Sequence, residues 1–156
     1  MEEKLKLGFT GEYEHNLDDK GRVSLPTKIR KYIEDHTTVA EAAGRVVLSK
    51  SSNRDCLELF MVEDWNRMVS SHIQGMSIKN NTVEDPVMDT GRNTDIVAID
   101  KAGRIMINAK LQELASMEKG VVFVGAIDRV QVWAGSKLKE YDKGRKKWSS
   151  KQKQKK

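Results

Sequence analysis

A chain of 156 residues, 38% apolar and 33% charged, holds enough for one packed domain or two small repeats sharing a core, and too little for a large multidomain enzyme. Its formal net charge of +5 suggests an anionic partner such as nucleic acid or an acidic membrane. The charge is unevenly placed, however: from Ser136 onward ten Lys and Arg face only Glu140 and Asp142, a local net of +8 that leaves residues 1–135 at −3, so overall charge says nothing about what the body binds.

The first residues, Met1 to Phe9, lack the apolar stretch of a secretory signal, and the longest apolar run, near Val121 to Ile127, is far short of the ~20 residues that cross a bilayer. A cytoplasmic protein is expected. Tyr13, His15 and Leu17 alternate with Glu12, Glu14 and Asn16 as in a half-buried strand. A turn over Asp18 to Gly21 follows, because Asp can accept nearby backbone N–H groups and Gly tolerates positive φ. It delivers a second strand, Arg22 to Leu25, whose period of two puts Val23 and Leu25 on one face and Arg22 and Ser24 on the other. Pro26 starts a short helix, and strands near 45–50 and 56–61 complete a β-β-α-β-β unit. Cys56, the single cysteine, can form neither an intrachain disulfide nor a CxxC pair.

Val62 to His72 has apolar positions at 62, 65, 68 and 69 with Glu63 and Asp64 in its first turn, and reads as an amphipathic helix. Residues 78–94, rich in Asn, Asp, Thr and Gly, read as a long loop or broken helix. The opening unit then returns. Asp18-Asp19-Lys20-Gly21-Arg22-Val23-Ser24-Leu25-Pro26-Thr27-Lys28-Ile29 aligns without a gap on Asp100-Lys101-Ala102-Gly103-Arg104-Ile105-Met106-Ile107-Asn108-Ala109-Lys110-Leu111. Asn108 is a plausible N-cap for the second short helix. Arg45 to Leu48 parallels Gly120 to Phe123, and Leu57 to Phe60 parallels Val130 to Trp133. Gly135 to Trp148 suits a final helix, and Ser149 to Lys156 reads as disordered.

Familiar catalytic and metal-binding patterns are missing. His15, His36 and His72 are scattered without neighbouring ligands. The signatures of serine hydrolases, P-loop NTPases and dinucleotide enzymes do not occur, and no cofactor is expected. One feature stands out in the otherwise acidic body: Lys20, Arg22, Lys28, Arg30 and Lys31 fall within twelve residues beside Asp19. Arg can bond guanine O6 and N7 in bidentate fashion, and Lys can neutralise phosphates. A tight turn in which Asp and Arg simply pair with each other is the competing reading.

The segment Gly11-Glu12-Tyr13-Glu14-His15-Asn16-Leu17-Asp18-Asp19-Lys20-Gly21-Arg22-Val23-Ser24-Leu25-Pro26, echoed by Asp100 to Ile107, resembles the two-repeat pattern of the MraZ family of bacterial transcriptional regulators, over roughly Gly11 to Leu138. The resemblance implies an α+β double-split β-barrel of the AbrB type, made of two ββαββ pseudo-repeats with additional helices. The units would be a first repeat at 9–62, a helix and loop linker at 63–93, a second repeat at 94–138, and a basic C-terminal helix with a disordered tail at 139–156. It implies a nucleoid-associated DNA-binding repressor of its own division and cell-wall operon. The partner would be duplex DNA bearing short G-containing direct repeats, bound by an octameric or dodecameric ring. By position, Arg22 and Arg104 would contact bases, Asp18, Gly21, Asp100 and Gly103 would brace the turns, and Lys20, Lys28, Arg30 and Lys101 would hold phosphates. The chain departs from the family at Asn108 in place of Pro, at Gln112 opposite Arg30, and at the polar stretch 80–94 where an amphipathic helix is usual. The first two suggest that the first site is the more basic and that Arg22 outweighs Arg104. An RNA-binding or ribosome-associated module and a structural ring scaffold are the alternatives.

Overall fold

The computed structural model describes residues 7–78 and 84–154. The first copy runs through β1 (Glu12–Asn16), β2 (Arg22–Ser24), α1 (Thr27–His36), a 3-10 turn at Ala40–Ala42, β3 (Arg45–Lys50), β4 (Leu57–Met61) and α2 (Val62–Ile78). After α3 (Glu84–Arg92), the second copy repeats the series as β5 (Thr94–Ala98), β6 (Arg104–Met106), α4 (Ala109–Leu114), β7 (Gly120–Gly125), β8 (Val130–Ala134) and α5 (Gly135–Gln154).

The two copies are strand-exchanged. A six-stranded sheet has the order β1-β7-β8-β4-β3-β5, and β2 pairs with β6 in a separate two-stranded ribbon. β1 of the first copy therefore lies on the second copy's β7, with Tyr13 opposite Phe123 and His15 opposite Val121. β5 of the second copy lies on the first copy's β3, with Val46 opposite Val97. β4 and β8 join at the centre, Leu57 opposite Val132. The result is an α+β double-split β-barrel with a pseudo-twofold axis between its copies.

Strand alternation sets the layers. Val46, Leu48, Leu57, Leu59, Val121, Phe123, Val130 and Val132 pack with Val23 and Ile105 of the ribbon, Ile29 and Ile33 of α1, and Leu111 and Ala115 at α4, in one core cluster. Intervening residues of the sheet face outward, where Phe60 meets Trp65 of α2 at 5.4 Å and Trp133 meets Tyr141 of α5 at 5.1 Å between ring centroids. With both faces covered, every residue of β4 is buried, which explains its nearly unbroken apolar sequence. Its exception, Glu58, is held by the Arg129 guanidinium at 3.2 Å.

The two short helices start differently. Pro26 is the N-cap of α1 and supplies no side-chain acceptor. Asn108 caps α4 as expected, its side chain accepting from the Leu111 N–H at 2.9 Å, an interaction worth about 1 kcal/mol.

Two boundaries differ from the sequence expectations, and one stretch takes the second of two alternatives: of the segment expected to be a loop or broken helix, Glu84–Arg92 forms α3, and residues 79–83 lie outside the described residues. Pro86 falls in the first turn, where a missing N–H breaks no intrahelical bond, and Arg92 falls in the last, where its charge suits the helix dipole. α2 continues six residues past His72 to Ile78. α5 continues to Gln154, so the segment expected to be disordered from Ser149 is helical as far as it is described. Lys and Gln have helix propensities close to the best, which outweighs their poor hydrophobicity.

Because β1 and β5 each complete the other copy's half, neither copy can close its own sheet. Fragments 1–78 and 84–156 made separately are expected to show weak, non-cooperative melting by circular dichroism. Mixed at equimolar ratio, they should regain a single cooperative transition; independent cooperative folding of either fragment would contradict the exchange.

Candidate nucleic-acid interface

The repeated turn is built identically in both copies. In the first, the Asp18 N–H donates to the Arg22 carbonyl at 2.8 Å and the Gly21 N–H to the Asp18 carbonyl at 3.0 Å; in the second, the corresponding Asp100 to Arg104 and Gly103 to Asp100 bonds are both 2.9 Å. The Asp18 carboxylate accepts from the backbone N–H groups of Lys20 (2.9 Å) and Arg22 (2.8 Å), and its second oxygen takes Arg22 Nε at 2.9 Å. Asp100 accepts from Ala102, Arg104 and Arg104 Nε, each at 2.9 Å. Gly21 at φ +80° and Gly103 at φ +81° hold the left-handed position that closes each turn. Each turn is therefore closed by an Asp carboxylate on one side and a positive-φ Gly on the other.

These bonds hold both carboxyl groups below the ordinary aspartate value of 3.8, first through the backbone N–H of the arginine and then through its side chain. Both ion pairs are solvent-exposed, so their contribution to stability is small. Their geometric effect is larger: each carboxylate holds the guanidinium by Nε alone, and the two Nη groups make no hydrogen bond among the described residues.

The ribbon puts the arginines together. Arg22 stands opposite Met106, Val23 opposite Ile105, and Ser24 opposite Arg104. Residues directly opposite point to the same side. Val23 and Ile105 are buried, so Arg22, Ser24, Arg104 and Met106 share the outer face. The two arginines are diagonal neighbours, which places their Cα atoms about 7–8 Å apart. Ser24 shares the Arg22 face as the strand period predicts; Met106 is the addition, and its signal lies in the alignment of the second copy on the first.

Among the candidate phosphate contacts, Lys20, Lys28 and Lys101 are exposed and Arg30 is half-buried. The structure does not keep Arg30 with the first turn. A Cβ on Gly103 would collide with the Arg30 guanidinium, 3.1 Å from Cζ, so Arg30 lies over the second turn. Its counterpart Gln112 lies over the first, with Nε2 2.6 Å from a Cβ on Gly21, and donates to the Ile107 carbonyl at 2.6 Å. Each short helix covers the other copy's turn. Arg30 therefore does not make the first site the more basic, as its position in the sequence suggests: strand exchange carries this cation to the Arg104 side.

Elsewhere the chemistry is sparse. No group of three or more His, Cys, Asp or Glu among the described residues could hold a metal ion. Burial pushes the Cys56 thiol up to about 12, leaving negligible thiolate at neutral pH. No helix among the described residues is long and apolar enough to cross a membrane.

Two strand-exchanged copies closing on one ribbon, each contributing a matched Asp-x-x-x-Arg turn, define the class of two-repeat double-split β-barrel proteins. Residues 9–85 and 92–156 match the family model described as MraZ protein, and the chain belongs to the MraZ family. Similar proteins include the transcriptional regulator MraZ of Acetivibrio thermocellus, 32% identical over 133 residues and 85% of each chain. That of Mesoplasma florum is 38% identical over 125 residues, 80% of this chain and 79% of its own, and that of Clostridium tetani 28% identical over 134 residues, 86% and 87%. The family is one of transcriptional regulators and not of enzymes.

Since folding lowers the Asp18 and Asp100 carboxyls, their contribution to stability is complete above the unfolded value near 3.8 and is lost as pH falls through the depressed folded values. Asp18→Asn with Asp100→Asn is expected to flatten the acid side of the thermal-stability profile below about pH 4 relative to the parent. An unchanged acid limb would show that the two turns are not linked to the titration.

Proposed function

We propose that the chain is a DNA-binding transcriptional regulator that reads short G-containing direct repeats in the promoter of its own operon and represses it by occlusion. It acts in the cytoplasm, associated with the nucleoid. The observation that carries this reading is the pair of arginines on the outer face of the β2–β6 ribbon, each with Nε tied to an aspartate and two Nη groups that make no hydrogen bond among the described residues. A two-stranded ribbon fits the major groove, which is about 12 Å wide. There the free guanidinium edges of Arg22 and Arg104 would donate to guanine O6 and N7, while Lys20, Lys28, Arg30 and Lys101 hold phosphates on either side.

One ribbon offers only two strong base contacts, worth about 1–3 kcal/mol each. Assembly into an octameric or dodecameric ring makes such weak sites effective, because once one subunit is bound its neighbours meet adjacent repeats at high effective concentration. Direct repeats in the DNA thus answer repeated subunits in the protein. The names of the related proteins, transcriptional regulator MraZ, support this reading.

The test is binding of the full-length protein to the duplex upstream of its own gene, by gel shift and fluorescence anisotropy. Arg22→Ala with Arg104→Ala should abolish specific binding and leave the oligomer seen by sedimentation intact. Undiminished affinity would favour a structural ring scaffold, and preferential competition by single-stranded or structured RNA would favour an RNA-binding module. Removing residues 149–156 should weaken binding to all duplexes alike and flatten its salt dependence; a loss confined to the promoter would give the tail a role in reading sequence.

A further inference from the structure

The pseudo-twofold ribbon would be a symmetric reader if its two ends were chemically equal. They are not. Around the first turn lie Asp18, Asp19, Lys20 and Arg22, a balance of zero, with Gln112 above the turn and bound to the Ile107 carbonyl. Around the second lie Asp100, Lys101 and Arg104, with Arg30 delivered from the first copy's helix, a balance of +2. The Arg30 side chain makes no hydrogen bond or ion pair among the described residues, so its guanidinium is not spent on holding the fold together. The outer face is uneven in the same direction: Arg104 has the small Ser24 opposite it, whereas Arg22 has the half-exposed Met106.

We propose that Arg30 works with the second-copy turn as a phosphate-binding residue, which makes the Arg104 end of the ribbon the stronger DNA contact and gives each subunit a fixed polarity on its site. Arg30 sits above Gly103, beside the turn from which Arg104 projects, where a cation would engage the backbone flanking the base that Arg104 reads. At the other end Gln112 contributes no charge, and its amide is already used. A reader with one strong and one weak end binds a non-palindromic unit in one orientation, as direct repeats require. The inference rests on the DNA-binding reading and adds to it the ranking of the two arginines and the partner of the dominant one.

The experiment compares full-length variants by anisotropy on the promoter duplex over a range of salt concentrations, with circular dichroism melting and sedimentation as controls for folding and assembly. Arg104→Ala should cost at least about tenfold more affinity than Arg22→Ala, within the discrimination one bidentate arginine supplies. Arg30→Gln should weaken binding and make the salt slope shallower by about one unit per bound subunit. The exchange variant Arg30→Gln with Gln112→Arg should recover affinity while reversing the order, so that Arg22→Ala becomes the more damaging change in that background. Equal losses for Arg22→Ala and Arg104→Ala, a greater loss for Arg22→Ala, or an unchanged salt slope in Arg30→Gln would overturn the polarity. If Arg22→Ala with Arg104→Ala together bind as tightly as the parent, the DNA-binding reading itself fails.

Discussion

The antiparallel pairing of β2 with β6, centred on Val23 opposite Ile105, is the joint on which the site depends. Each of these strands has three residues, too few for a stable hairpin in water. They persist because their inward side chains are clamped between the six-stranded sheet and the helices α1 and α4. The Leu25 N–H donates to the Gly103 carbonyl and the Ile107 N–H to the Gly21 carbonyl, extending the ladder by one bond at each end into the opposite turn. Burial of Val23 and Ile105 thereby forces Arg22 and Arg104 to the other side. A one-residue slip would bury the arginines and expose the apolar pair, so the core fixes the orientation of the site.

That arrangement accounts for how an exposed ion pair matters. The Asp18–Arg22 and Asp100–Arg104 pairs lie at the surface and do little for stability. What they restrict is the freedom of a long side chain. An arginine free in solution samples many rotamers, and ordering it on binding costs about 0.5–1.5 kcal/mol. Gripping Nε beforehand removes part of that cost and leaves the two-pronged edge presented, so the tight-turn reading and the contact reading of the motif describe one geometry. The turn holds the arginine, and the held arginine is available to a partner.

Much of this was legible in the sequence because it is local. The turn from Asp18 to Gly21, the alternation along β1, the Asn108 cap and the repeat itself all depend on residues near one another in the chain. The placement of Arg30 was not legible from spacing. It follows Arg22 by eight residues, and only the exchange of the copies carries it to Gly103. The same non-local pairing hides the edge positions of β1 and β5, since no local signal says which half of a sheet an isolated strand will join. One misjudged segment has a different cause. Beyond Trp148, polar composition points to disorder, yet the Lys- and Gln-rich end continues α5 to Gln154. Polarity reports on burial more than on helicity.

The central claim, that outward guanidinium edges on the ribbon meet guanine in the major groove, is tested most directly by dimethyl sulfate footprinting, since this reagent methylates guanine N7. At saturating protein, the account predicts protection of guanine N7 in each promoter repeat, recurring at the repeat spacing and absent with the double arginine-to-alanine variant. Guanines that stay fully reactive while the duplex is bound would contradict it and place the protein on the backbone alone.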